Sequence, residues 1–373
     1  MLGVVLTVIG LSVSPFLPAR AAIASPSATF GVHYASDVPA AARESVEAGL
    51  RIWSARLVTP LPIEVDVRWA PLPRGVAGAA EPTAYEQATA GGPFDPIALV
   101  NAQTGYDHRA GADIRMTLNS AEPWHFGDDA APPGTTDMES FVLHELAHGL
   151  GLIGSFTRQS DDAYSLGWGR KDPIDGQPRP SGMDRFLADA ESGELLTSTA
   201  AYANPSPALF AAATGRHIVW GGAARDSRGR PIALYSPIGF EDHSSLVHLD
   251  DTMYPMGDPD SLMTSLIRRG ESIRRVGPAA LGMLADLGWT VIPETAAPPA
   301  ARVPTTTATV AVPAPPTTPP PPTTVAVVAA VSHAATPATA DRSAAMPQVG
   351  LLSTPTAIAA LVFALRYFVR RGD

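Results

Sequence analysis

Between Pro293 and Pro347 the chain is composed almost entirely of Pro, Thr, Ala and Val, including the run from Pro315 to Thr324. A stretch of that composition has too little apolar surface to bury, so it reads as an extended linker and not as a layer of a domain. It divides the 373 residues into a folded part before it and a short tail after it. We place the folded domain at 25–295, with its secondary structure running from about Ala28 to about Ile292, and the linker at 296–348.

Both ends carry apolar segments. Leu2 to Leu17 has the length of a signal peptide and is followed by small residues such as Ala19, Ala21, Ala22 and Ala24, which predicts an export signal over 1–24, although no Lys or Arg precedes the run. Past the linker, residues 349–368 form an apolar segment interrupted by Pro355, and Arg366, Arg370 and Arg371 follow or close it. An apolar run closed by arginines reads as a stop-transfer helix with a basic cytoplasmic tail at 369–373. Met346-Pro347-Gln348-Val349-Gly350 also resembles a degraded cell-wall sorting signal, with Val349 where Thr is usual. Either reading tethers the domain to the outer face of a cell, at the membrane or at the wall.

Composition narrows the chemistry. The net charge is -10 and no basic run stands out before the C-terminus, so a nucleic-acid partner is not expected. There is no cysteine, which removes disulfides, thiol nucleophiles and thiolate metal sites together. A metal, if bound, must sit on His and carboxylates.

Within the domain, Phe30, Val32 and Tyr34 alternate as in a half-buried strand. A helix is expected from about Asp37 and Pro39, with Val46, Leu50, Trp53 and Leu57 on one face. Ile63, Val65, Val67 and Trp69 alternate again, and a strand–helix–strand unit of this kind predicts two parallel strands in one sheet. A Gly- and Pro-rich stretch leads to a further strand, Asp113 to Asn119. Thr136 and Glu139 then have capping-box spacing, and the segment to Leu150 has neither Gly nor Pro before Gly149, so it is expected to be helical.

That helix carries the chemistry. His144 and His148 lie four apart, hence on one face and one turn apart. Two neutral imidazoles so placed can occupy two tetrahedral positions on one zinc ion. Glu145, beside the first, is positioned to act as general base on a water at the metal, for attack on a peptide carbonyl. His33, His108, His125, His217 and His333 have no partner at ligand spacing and are read as structural or solvated.

The stretch His144-Glu145-Leu146-Ala147-His148-Gly149-Leu150-Gly151 resembles the zinc helix of the metzincin peptidases, with Gly151 matching the turn glycine. The family's compact motif places its third His at 154, which here is Gly154. Leishmanolysin-like metzincins take that ligand from beyond a long insertion, and the resemblance therefore implies His248, in Ser244-Ser245-Leu246-Val247-His248-Leu249-Asp250, after an insertion at 155–242. His243, Asp184, Glu241 and Asp250 are rivals for the position, Asp250 with a further possible role in orienting an imidazole. Ser261-Leu262-Met263-Thr264 resembles the methionine turn beneath the metal, and Pro278 to Trp289 the closing helix. Met183 to Leu187 reads as a helix start.

The resulting expectation is an α+β, metzincin-like domain of two subdomains, with a mixed sheet, an active-site helix, a long insertion and Zn2+ at the base of a cleft. It is expected to be a monomeric, exported, surface-tethered zinc endopeptidase acting on proteins or peptides. The strand Asp113 to Asn119 would pair with the substrate backbone. The competing expectation is a catalytically idle, metal-stabilised binding or adhesion module, against which an intact Glu145 argues.

Overall fold

A computed structural model describes residues 27–159 and 162–294. The expected signal segment, the linker, the C-terminal apolar segment and His333 lie outside the described residues. No described helix is long and apolar enough to cross a membrane.

The described chain is a mixed α/β structure of five α-helices, one four-stranded sheet and several two-stranded pairs. Strand β1 (Phe30–Tyr34) leads into helix α1 (Ala40–Ser54) and returns as β2 (Ile63–Ala70). The two strands are parallel, with Val32 opposite Val65. Their alternation has the expected origin, since Ile63, Val65 and Val67 are buried while Glu64 and Asp66 between them are only half-buried. Helix α1 stops at Ser54. Leu57 is buried but not helical, because Leu57–Val58 pairs with Thr290–Val291 near the end of the domain. The expected fourth residue of the helical stripe is thus a strand residue.

Strand β3 (Gly78–Pro82), helix α2 (Ile97–Thr104) and strand β4 (Ile114–Asn119) follow. The sheet order is β1-β2-β4-β3, with β4 parallel to β2 and β3 antiparallel to β4. This corrects one expectation: the strand ending at Asn119 lies inside the sheet, paired on both sides, so it cannot take up a substrate backbone. The outer strand on that side is β3, with β1 at the opposite edge. Asp113 stands just before β4, buried, where it accepts from the Glu64 amide at 2.9 Å and the Asn101 side chain at 3.0 Å.

Helix α3 (Met138–Leu150) is buried along its whole length, between α1 and the inner face of β3 and β4. Close approach depends on two glycines: a Cβ at Gly49 of α1 would lie 2.8 Å from Val142, and one at Gly149 would lie 2.5 Å from Ile114 of β4. Trp53 donates from its indole to the Leu143 carbonyl at 3.1 Å, tying α1 to α3.

The described part of 155–242 has no large sheet. It is made of short antiparallel pairs, such as Leu187–Asp189 with Ile218–Trp220, and helix α4 (Pro207–Ala213). Met183–Phe186 is a single 3-10 turn and not the start of an α-helix. Helix α5 (Pro278–Leu287) begins at Pro278 and ends at Gly288, whose φ of 115° only glycine adopts readily. The next residue, Trp289, donates from its indole to the Leu150 carbonyl at 2.8 Å and so closes the domain onto the end of α3.

Candidate metal centre

The start of α3 is fixed one residue later than the capping-box spacing implies. Asp137 is the N-cap, accepting from the Ser140 amide at 2.8 Å, while the Thr136 hydroxyl turns to Glu122. The Arg274 guanidinium grips Asp137 through both oxygens, at 2.6 and 2.8 Å, and Glu139 pairs with the same arginine. Burial raises the Asp137 carboxyl, but the hydrogen bonds from Arg274 and Ser140 outweigh it, and the net effect lowers its pKa below the ordinary value.

The end of α3 is set by Gly151, at φ 129°. A side chain there would be strained, and the turn brings the Leu152 amide back to the Ala147 carbonyl at 2.9 Å. The same turn sends the Leu152 carbonyl onto Nδ1 of His148, at 2.6 Å. His144 Nδ1 meets the Leu262 carbonyl at 2.6 Å, and His248 Nδ1 meets the Ser244 carbonyl at 2.8 Å. A carbonyl oxygen only accepts, so each Nδ1 carries the proton and each Nε2 is left as an acceptor.

Those three Nε2 atoms face one another. His148 Nε2 stands 3.1 Å from that of His144 and 3.2 Å from that of His248, and the three side chains are buried at 0, 6 and 1% exposure for His144, His148 and His248. Acceptors crowded at this range repel unless positive charge lies among them. Protonation does not supply it, because burial first, and for His144 and His248 also the neighbouring imidazoles, push the pKa values down, to about 3 for His144, about 4 for His148 and well below the usual range for His248. Nitrogens bound to one zinc ion at about 2.0–2.1 Å in tetrahedral directions would lie about 3.3 Å apart, close to the spacing found. The three histidines therefore fit a metal ion, and they are the one group of potential ligands that converges among the described residues.

Glu145 sits on the same helix, 1% exposed. Its Oε2 accepts from the Ala80 amide of β3 at 2.6 Å, and its Oε1 is buried with no hydrogen-bond partner. Burial pushes its carboxyl up to about 8, against the opposing pull of the Ala80 amide. Ala80 is available for this because Ala77 and Thr83 bond back to the β4 side, and antiparallel alternation turns the Ala80 amide to the outer edge.

The segment from Ser261 to Met263 forms a 3-10 turn against α3. Its Leu262 carbonyl holds His144, and the next carbonyl, of Met263, accepts from the Leu249 amide at 2.7 Å, beside His248. One turn thus positions two of the three rings.

The rivals for the third position stand elsewhere. Asp184 is fully buried and receives the amides of Ser155 at 3.0 Å and Ser181 at 2.8 Å, stapling the loop after α3 to the segment before residue 184. Asp250 caps its own turn through Thr252 and Met253 and does not orient an imidazole. His243 is exposed and, like Glu241, lies outside the converging group. Of the remaining histidines, His33 pairs with Glu64 and His125 with Asp129. The partners that sequence reading missed are the Ala80 amide and the carbonyls of Leu152, Ser244 and Leu262. Backbone groups leave no residue-specific signal, and only the Gly151 position hinted at one of them.

A family model described as SPBPB7E8-like matches residues 84–167, a span that takes in α2, β4 and all of α3 but stops short of His248. No curated protein matches the chain.

Proposed function

We propose that the chain is a zinc-dependent peptidase of metzincin-like, specifically leishmanolysin-like, organisation, with His144, His148 and His248 as ligands and Glu145 as general base. The observation that carries the reading is the convergence of three Nδ1-protonated imidazoles on one point, beside a buried carboxylate with one oxygen held and the other without a partner. The turn at Ser261–Met263 beneath the rings and the helix after Pro278 support the metzincin-like part of it. Zinc is the metal of choice because three neutral imidazoles with no thiolate are a natural zinc set. Export and surface tethering rest on the sequence of the two ends.

When bound, a zinc ion supplies a Lewis acid that polarises the scissile carbonyl and makes water a nucleophile at neutral pH. The chain's own part is positional and protolytic. The Ala80 amide fixes the Glu145 carboxylate, leaving Oε1 to take a proton from the attacking water and to deliver it to the leaving amine. The carbonyls of Leu262, Leu152 and Ser244 hold the three rings in the tautomer that presents Nε2.

The burial of all four side chains gives a second reading its footing, in which the metal only stabilises a binding module. Metal content by mass spectrometry together with casein hydrolysis separates the two, on wild type, Glu145→Ala and His248→Ala. The peptidase reading requires about one zinc per chain, hydrolysis lost in both variants, and zinc lost from His248→Ala alone. Zinc retained in wild type and Glu145→Ala with no hydrolysis by either leaves the module.

A further inference from the structure

Away from the histidines, a cavity of about 730 Å³ opens between the loop at Gly91–Pro93 and the segment after α3, within the size range of small-ligand and peptide side-chain sites. Its lining includes Trp168, Arg179, Arg185, Thr197, Thr199 and Asn204. No aspartate or glutamate lines it, although the chain as a whole carries a net charge of -10.

The two arginines are not equivalent. Arg179 is engaged, by Asp172 at 3.4 Å and Asp175 at 2.5 Å. Arg185 forms no ion pair among the described residues. Its Nε donates to the Gly182 carbonyl at 3.3 Å and its guanidinium lies 5.2 Å from the Phe186 ring centre, which orients the group without neutralising it. Behind it, Asp95 is buried with Oδ1 lacking a hydrogen-bond partner and is packed against Gly182, so it acts on the guanidinium only through space, without an ion-pair contact. Asn204 spends both ends of its amide on the Trp168 backbone, at 2.9 Å each, and so stiffens that wall.

The cavity is also wired to the metal centre. Its wall residue Trp168 precedes Gly169, whose amide donates to the Ser155 hydroxyl at 2.8 Å, and Pro180 precedes Ser181, which donates to the Ile153 carbonyl at 3.3 Å. Ile153 follows Leu152, the residue that holds the His148 ring. The cavity wall is therefore hydrogen-bonded to the loop that leaves the helix bearing His144 and His148.

We propose that this cavity binds a peptide carboxylate, anchored by the Arg185 guanidinium and flanked by the Thr197 and Thr199 hydroxyls. A planar guanidinium with no ion-pair contact among the described residues matches a carboxylate in charge and in fork geometry. The carboxylate is that of an acidic side chain or of a peptide C-terminus. The proposal rests on the reading of this chain as one that acts on peptides, and makes acidic peptides its preferred class.

Isothermal titration of the full-length Glu145→Ala chain, which is expected not to turn peptides over, tests it with three probes: acetyl-AAEAA-amide, acetyl-AAQAA with a free carboxylate, and acetyl-AAQAA-amide. One or both carboxylate peptides are expected to bind on the order of tenfold more tightly than the neutral one. Whichever does so identifies the source of the carboxylate. Arg185→Gln is expected to erase the preference at an unchanged melting temperature; if it unfolds the chain, Thr199→Val, at an exposed site, is expected to weaken the preference several-fold. Equal binding of all three peptides, or a preference untouched by the folded variants, overturns the proposal. Casein hydrolysis by wild type without any carboxylate preference would sink this inference and leave the peptidase reading standing, whereas the preference without hydrolysis does the reverse.

Discussion

Glu145 and Ala80 are joined by a 2.6 Å hydrogen bond from the strand amide to the helix carboxylate, so the residue between the two helix-borne histidines is tied to an edge strand of the sheet. The bond fixes the side chain on which the proposed chemistry turns, and it uses a backbone donor that would otherwise face the edge of the sheet.

This arrangement separates structure from chemistry at one position. Glu145→Gln keeps an oxygen for the Ala80 amide, and its melting temperature is expected to stay close to wild type with zinc still bound. Casein hydrolysis is expected to fall about 10²- to 10⁴-fold, the usual worth of a general base. A Gln variant that hydrolyses casein at the wild-type rate would remove Glu145 from the mechanism.

The proposed third ligand and its neighbour make an opposing pair. His248→Ala leaves two imidazoles and is expected to lose most of its zinc on dialysis against a weak chelator. His243 is exposed and sits at φ 66°, where a non-glycine residue is strained by about 1 kcal/mol. His243→Gly is expected to keep its zinc. Zinc loss from the His243 variant with retention in the His248 variant would exchange their roles.

A packing prediction concerns Gly149, one residue past the second histidine. A methyl group there would stand 2.5 Å from Ile114, in a helix buried on all sides. Gly149→Ala is expected to cost about 1–3 kcal/mol, the range of an overpacked core, despite alanine's better helix propensity. Urea denaturation reads it, and a stabilised variant would mean that α3 and β4 are not in this contact.

Stability is also expected to depend on pH through Asp95. Burial raises its carboxyl from 3.8 to about 6, only partly offset by the charge of Arg185. Well below pH 3.8 the group is protonated in folded and unfolded chains alike. As the pH rises through 6 the unfolded chain has already released its proton, and the folded state loses up to about 3 kcal/mol. Asp95→Asn, neutral throughout, is expected to gain on wild type between pH 4 and pH 7 in urea midpoints. A difference between the two proteins that does not change with pH would show that Asp95 ionises freely in the folded state.

What could be read from the residues follows the physics of each element. His144 and His148 were legible because a helix repeats at a fixed period, and β1, β2 and β4 because half-buried strands alternate. His248 was reached only through the family resemblance, since no local pattern marks a ligand so far along the chain. Strand β3 was not legible: Gly78-Ala79-Ala80-Glu81-Pro82 has neither alternation of large side chains nor strand-forming residues; it pairs through its backbone with β4, and at Gly78 a Cβ would lie 2.5 Å from the Thr117 carbonyl and 2.7 Å from Phe141 of α3. With β3 unseen, the inner strand β4 passed for the edge. The cap of α3 was misplaced by one residue because Thr136 and Asp137 are both capping types, and only the distant Glu122 and Arg274 decide between them.

The adjacent carbonyls of Leu262 and Met263 steady rings that belong to widely separated parts of the chain. During synthesis, neither His144 nor the turn segment bearing His248 can be locked until the polypeptide has grown past residue 263. A truncated or half-translated product, however complete its sheet and first three helices, would therefore carry the histidines without an assembled centre. The order in which the chain is made thus places the last ligand-setting contacts near the end of the domain.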